Sequence, residues 1–260
     1  GAGPPPRWAA LLVAGGGAAA APTTVEVYYS TTCPNCLQLI QDGALPLLEA
    51  GLPDDQVRVT LLPWKGDRPG VASAHLCALR GEAGAGATAG SAPPAGARFV
   101  ACDLVNLIVP DAPDRTEETA RSCAAQAGMA WDGAGGLKTC YDGGEGAGML
   151  QGAEYARQIA DADGRIPVTS KTPFVFLDGA LLSCPGSAHC DQVWSPAQAD
   201  FVPLERPGSL LEVVCDRLGP SPPAGCGGAG AAAQGPAVSQ SLDRGCENCA
   251  EAGVFRWGPA

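Results

Sequence analysis

The chain has 260 residues, with 27 Asp and Glu against 16 Lys and Arg, a net charge of −11. That balance disfavours phosphate-driven nucleic-acid binding and attachment to an anionic membrane surface, and no apolar run of about 18 residues offers a transmembrane span. Gly (36) and Pro (24) are abundant while aromatic residues are 5 % of the chain, so the side chains that can build a core must be concentrated in a few blocks.

Residues 1–22 form a leader. Arg7 precedes Trp8-Ala-Ala-Leu-Leu-Val13, and small residues follow at Ala18, Ala19 and Ala20. This resembles the end of a secretory signal peptide; a plain Ala/Gly leader is the other reading. Twelve cysteines, an even number, fit a disulfide framework in an oxidising compartment.

The first folded block opens with Val25-Glu-Val-Tyr-Tyr-Ser30, whose β-branched and aromatic residues predict a strand. Thr31-Thr32-Cys33-Pro34 then reads as a helix start, with a hydroxyl N-cap and proline in the first turn. Leu37, Ile40, Ala44, Leu47 and Leu48 make one apolar helix face. Pro46 should end or kink that helix, and Gly51-Leu-Pro53 should terminate it. Val57-Arg-Val-Thr-Leu-Leu62 predicts a second strand, parallel to the first by default. Glu82–Ala97 is Ala/Gly/Pro low complexity and reads as a flexible insertion. Cys102 to Asp163 is mostly helical in character, with helices predicted over Thr116–Ala127 and Met149–Asp163, and Asp142-Gly-Gly-Glu-Gly as a turn. Phe174-Val-Phe-Leu177, Asp178-Gly179 and Ala180-Leu-Leu182 predict a hairpin. Ser209–Leu218 predicts a final amphipathic helix capped by Ser209. Residues 219–260 read as a Gly/Ala/Pro-rich linker and a tail holding Cys246 and Cys249. The folded domain is thus expected over 23–218.

Cys33-Pro-Asn-Cys36 falls at the strand-to-helix junction. Unpaired N–H groups and the helix dipole stabilise a thiolate there, so Cys33 is the candidate nucleophile. Cys36, one turn on, can resolve a mixed disulfide. Asn35 offers a dipole and no charge. A structural bridge and half of a zinc site are the alternatives; zinc would need a second pair, and Cys246/Cys249 lies across a long linker. The order β-α-β, helical insert, β-β-α, with Pro173 directly before a strand, matches thioredoxin-like folds, which place a cis-proline beside the reactive Cys-x-x-Cys. Thr172 and Pro173 are the candidate substrate-positioning residues. Among the other cysteines, the sequence-near pairs Cys184/Cys190, Cys215/Cys226 and Cys123/Cys140 are candidate bridges, although spacing does not fix connectivity. His75 and His189 are the two histidines; His189, beside Cys190, could ligate a metal or act as a base, with a plain surface or packed histidine as the favoured reading.

These stretches resemble the GILT family, the gamma-interferon-inducible lysosomal thiol reductases. The matching segments are Val25–Cys36, Val59-Thr-Leu-Leu-Pro63, Cys140 in a Gly-rich helix lead-in, Thr172–Gly179, and Leu211-Glu-Val-Val-Cys215 with Cys226 beyond it. The family's Cys-Gln-His-Gly signature is replaced here by Cys77-Ala-Leu-Arg-Gly81. The resemblance implies an α/β thioredoxin-like fold with a helical insertion between the second strand and the Pro173 strand. It also implies disulfide reduction in endosomes or lysosomes, with Cys33 and Cys36 as the redox pair. No organic cofactor or metal is called for, because the dithiol carries the electrons. The expected partners are disulfide-bonded proteins and a thiol electron donor. An oxidase or isomerase, and a non-catalytic disulfide-rich secreted binding protein, are the rival readings. No Asn-x-Ser/Thr site occurs in the sequence.

Overall fold

The computed structural model describes residues 21–64, 68–80, 92–108, 117–168, 171–184 and 189–228. The expected leader up to residue 20, residues 82–91 of the insertion and the tail with Cys246 and Cys249 lie outside the described residues.

The central framework is built by β1 (Thr23–Tyr29), β2 (Val57–Pro63), β3 (Phe174–Leu177) and β4 (Ala180–Ser183). β1 runs parallel to β2 and antiparallel to β3, and β3 runs antiparallel to β4. Alternation assigns the two sheet faces. Val25 and Val27 pair with Val59 and Leu61 on one side of β1, and with Leu177 and Val175 on the other. These residues belong to the main core. The intervening Tyr28 pairs with Leu62 and Phe174 and packs with Phe176 and Leu181 in a second core.

The helix after β1 is one continuous rod in three parts: α1 (Pro34–Leu39), a π-helical turn (Ile40–Ala44) and α2 (Leu45–Glu49). Pro46 explains the middle part. It has no N–H to offer the preceding turn, and the wider turn, closed by the Leu45 N–H on the Ile40 carbonyl, carries the rod past it. Gly51 ends the run at φ +65°. The expected Asp178-Gly179 hairpin forms, with φ of 49° and 80° at the two turn residues, the left-handed pair a two-residue turn requires. The last helix, α9 (Leu210–Arg217), is capped by Ser209 and Glu212 in a reciprocal box.

The helical insert between β2 and β3 comprises α3 (Pro69–Leu79), α4 (Pro94–Ile108), α5 (Glu117–Gln126), α6 (Leu137–Asp142), α7 (Glu145–Gln151) and α8 (Ala153–Arg165). α5 matches the Thr116–Ala127 expectation. The single helix expected over Met149–Asp163 is instead α7 and α8, broken at the extended Gly152. α3 was not foreseen, because Val71 to Ala78 are all buried and a helix buried all round shows no apolar period. Close approach onto α3 uses glycine. A Cβ at Gly96 of α4 would meet the Ala78 carbonyl oxygen at 2.4 Å, and one at Gly146 of α7 would meet the Ser73 carbonyl oxygen at 2.4 Å.

Three expectations are corrected. Residues 94–97, expected in the flexible insertion, are the first turn of α4, with Ala97 buried. The chain after 218 does not leave the domain at once: Cys226 is bonded to Cys215, and a Cβ on Gly225 would meet the Ala50 carbonyl oxygen at 2.1 Å. The order β-β-α omitted β5 (His189–Ser195) and β6 (Asp200–Ser209), which extend the sheet among the described residues to β2-β1-β3-β4-β5-β6. Pro203 and Pro207 hid β6; it is the edge strand, where proline is tolerated.

Eight described cysteines form the bridges Cys77–Cys140, Cys102–Cys123, Cys184–Cys190 and Cys215–Cys226. Cys184/Cys190 and Cys215/Cys226 pair as the spacing suggested. Cys123 and Cys140 do not pair: helix packing sets α5 against α4 and α6 against α3, and the bridges follow those contacts. Replacing Cys77 and Cys140 together by Ala should lower unfolding stability by about 2–4 kcal/mol and leave Cys33 reactivity unchanged. Denaturant melting and thiol alkylation of the same sample test both parts.

Candidate active site

Cys33 and Cys36 are the free cysteines among the described residues; Cys33 is half-buried and Cys36 buried. Their placement follows from the chain path. β1 ends at Tyr29, the chain turns through Ser30, Thr31 and Thr32, and α1 begins at Pro34. The N-cap is Cys33 itself rather than the expected Thr hydroxyl. Its backbone is extended, and its sulfur accepts the Cys36 N–H at 3.3 Å. Thr32 instead pairs with Ser30, Oγ1 to Oγ at 3.1 Å. A sulfur at the cap is aimed at the unpaired N–H groups of the first turn, as a thiolate requires.

Pro173 completes the site. The Thr172–Pro173 peptide bond is cis, and the Cys33 thiol lies 3.6 Å from the Thr172 carbonyl oxygen, to which it donates. Residues separated by 139 positions in sequence are thereby in contact. The four expected site residues, Cys33, Cys36, Thr172 and Pro173, are brought to one place.

The two thiols sit in opposite environments. The Cys33 pKa is lowered to about 6. The hydrogen bond from the Cys36 thiol is the largest cause, and the Cys36 backbone N–H, the Thr172 side chain and the Asn35 backbone add to it against the opposing cost of burial. Among the described residues, none of these causes is a charged side chain, in line with the uncharged Asn35. The Cys36 thiol is pushed strongly up, first by burial and then by Cys33; the Ser30 N–H, 3.3 Å from its sulfur, and the Thr172 side chain pull the other way. Thr172 therefore serves both sulfurs, a role that sequence reasoning placed only toward substrate.

Sequence reasoning missed one more feature beside the site. His75, to which the sequence assigned no role, is fully buried and bonded to Asp103 and Tyr29. His189 is exposed at the start of β5, as expected of a surface residue. Among the described residues, no group of three or more His, Cys, Asp or Glu is placed to hold a metal ion, and no helix is long and apolar enough to cross a membrane.

No family model matches the chain, and no curated protein matches it. Among solved structures, the reduced form of the disulfide bond oxidoreductase DsbG from Mycobacterium tuberculosis is similar with a TM-score of 0.48 and 16 % identity, over 82 % of this chain and 86 % of that one. DsbA from Chlamydia trachomatis has a TM-score of 0.44 and 18 % identity, over 64 % of this chain and 81 % of its own. MdbA, a thiol-disulfide oxidoreductase from Actinomyces oris, has a TM-score of 0.44 and 17 % identity, over 64 % and 74 %. Likenesses this distant carry no argument about chemistry, and the functional reading rests on the site's own geometry.

Alkylation of the reduced protein should titrate with a midpoint near 6 at Cys33, while Cys36 stays unreactive until the chain is unfolded. Cys33 has a lower pKa folded than unfolded, so between about pH 6 and the ordinary thiol range of about 8.5 the unfolded chain binds the extra proton. Stability of the reduced protein should therefore rise with pH across that window, and the gain should be lost as pH falls through 6. Cys33→Ser should flatten this part of the stability–pH curve, measured by denaturant midpoints in excess reductant.

Proposed function

We propose that the chain is a thiol–disulfide oxidoreductase that reduces protein disulfides. The observation that carries this reading is the unequal pair at one helix start, with Cys33 half-exposed and held toward the thiolate, and Cys36 buried and held toward the thiol. A structural bridge has no use for that asymmetry.

The inequality assigns the steps. The Cys33 thiolate attacks one sulfur of a substrate disulfide, forming a mixed disulfide and releasing the other substrate sulfur as a thiolate, which takes a proton from water. Cys36 then gives up its proton to solvent, and its sulfur attacks Cys33. The Cys33–Cys36 disulfide forms, the second substrate sulfur leaves, and the substrate has gained two electrons. A thiol electron donor returns the pair to the dithiol. The chain's own sulfurs carry both electrons, so the steps use no organic cofactor.

The depressed Cys33 pKa also bears on compartment. At pH 5 a thiol of pKa about 6 is still about one-tenth thiolate, whereas an ordinary thiol near 8.5 is about 0.03 % thiolate. Attack thus survives acidity, as a reductase of the endosomal or lysosomal lumen requires. This supports the proposal that the chain is a divergent member of the GILT family, reached through the secretory pathway. The four bridges fit the same oxidising setting. One observation favours net oxidation instead: near neutral pH the stabilised thiolate favours the dithiol, which makes the disulfide a better oxidant. That advantage fades below pH 6, where the thiolate is lost, so reductase direction is proposed for acidic surroundings.

Cys36→Ser should accumulate a covalent adduct with a disulfide-bonded protein, because Cys33 still attacks and nothing resolves the product. Cys33→Ser should form none. Non-reducing electrophoresis with mass spectrometry reads the outcome. Equal adduct from both folded variants, or none from either, would overturn the catalytic reading and leave a disulfide-rich binding protein.

A further inference from the structure

Tyr29, His75 and Asp103 are polar side chains buried in the interior at 0 % exposure, and they are joined end to end. The Tyr29 hydroxyl lies 3.1 Å from Nδ1 of His75, and Nε2 of His75 lies 3.0 Å from Oδ2 of Asp103. The pattern is satisfied when the phenol donates to Nδ1 and Nε2–H donates to the carboxylate. The chain crosses three elements: Tyr29 closes β1, His75 lies within α3 and Asp103 within α4. The rings of Tyr29 and Phe99 pack against the imidazole.

A buried polar chain is a poor source of stability, since an apolar set of similar volume commonly does as well. What it adds is one fixed register, because hydrogen bonds have direction and apolar contacts do not. The fixed end is next to the thiols. Ser30 follows Tyr29, and the Ser30 N–H is the donor to the Cys36 sulfur, at 3.3 Å. The Tyr29 carbonyl is itself held by the Trp64 N–H at 2.6 Å. The helix that carries the middle member is anchored as well: Cys77, two residues beyond His75 on α3, is bridged to Cys140 of α6.

We infer that Tyr29, His75 and Asp103 are positioning residues for resolution. They tie the end of β1 to the helical insert, so that the Ser30 amide stands where the Cys36 sulfur becomes a thiolate. Attack by Cys33 does not depend on them, because the Cys36 N–H and Thr172 hold that sulfur. In the step they support, Cys36 releases its proton to solvent, its sulfur bonds to Cys33, and the bond from Cys33 to the substrate sulfur breaks. This inference rests on the resolving role proposed for Cys36.

Tyr29→Phe keeps the ring and removes the hydroxyl. In the full chain, rapid-quench single turnover with a disulfide-bonded peptide separates formation of the mixed disulfide from its decay. The rate of formation should stay within about twofold of wild type and the alkylation midpoint of Cys33 should not move, while decay slows about tenfold, the scale of one weakened hydrogen bond to a charged sulfur. Asp103→Asn, which keeps the size of the far anchor, should slow the same phase and provides the test if Tyr29→Phe does not fold. Decay at the wild-type rate in a folded variant, or both phases slowed in proportion to lost thermal stability, would overturn the positioning role. Wild-type protein that forms no mixed disulfide would overturn the oxidoreductase reading itself, so the two failures are distinguishable.

Discussion

Everything in this protein depends on holding two identical side chains, one helical turn apart, in unlike surroundings. Cys33 and Cys36 have the same chemistry and differ in what the fold places around them. Cys33 is the N-cap, where the N–H groups of the first turn are used by no preceding turn. Cys36 is inside the helix, where its sulfur meets the core. A strand that ends directly beneath the helix start produces this difference, and the parallel pairing of β1 with β2 and the antiparallel pairing with β3 hold that strand rigid from both sides. The β3 pairing also delivers Thr172 and Pro173 to the Cys33 sulfur. The site is the meeting point of two loops at one end of neighbouring strands.

The helical insert is the support for that end. Its composition looks unsuited to a core, being rich in Ala and Gly with few large side chains. The structure shows why it works: small residues let α4 and α7 approach the backbone of α3 closely, and the Cys77–Cys140 and Cys102–Cys123 bridges close the packing that side-chain volume does not. Bridges of this kind reduce the entropy of the unfolded chain, which matters most where apolar burial per residue is small. The insert's polar chain from Asp103 to Tyr29 then connects this scaffold to the strand carrying the site.

Much of this was legible in the sequence, for stated reasons. The β1 strand, the Cys-x-x-Cys at a helix start, the parallel β2, the Asp178-Gly179 turn and the Ser209 cap are local signals, each written within a few residues. What stayed hidden was non-local or masked by composition. α3 has no apolar period because no face of it meets water. β6 carries two prolines that would forbid it anywhere but an edge. The partners of Cys123 and Cys140 depended on which helices touch, and sequence nearness pointed to the wrong pair. Thr172 could be assigned to the site through the proline after it, but its bonds to both sulfurs required the fold. His75 and Asp103 are 28 residues apart, with no spacing rule linking them.

That the leading contacts on the Cys33 sulfur come from uncharged groups has a physical consequence. In a chain of net charge −11, a thiolate stabilised by long-range attraction to cations would be working against the average field of its own protein. Cys33 is instead stabilised at close range by a neighbouring thiol, by backbone N–H groups and by one hydroxyl-bearing side chain. Such contacts act over hydrogen-bond distances and are screened little by salt, unlike surface charge pairs. They also weaken as soon as the sulfur moves, which it must do when Cys33 bonds to a substrate and later to Cys36. The donors that favour the free thiolate are thus released during the reaction rather than carried through it. That makes the geometry around Cys36, and the strand end that presents the Ser30 amide to it, the remaining control over whether the mixed disulfide goes forward.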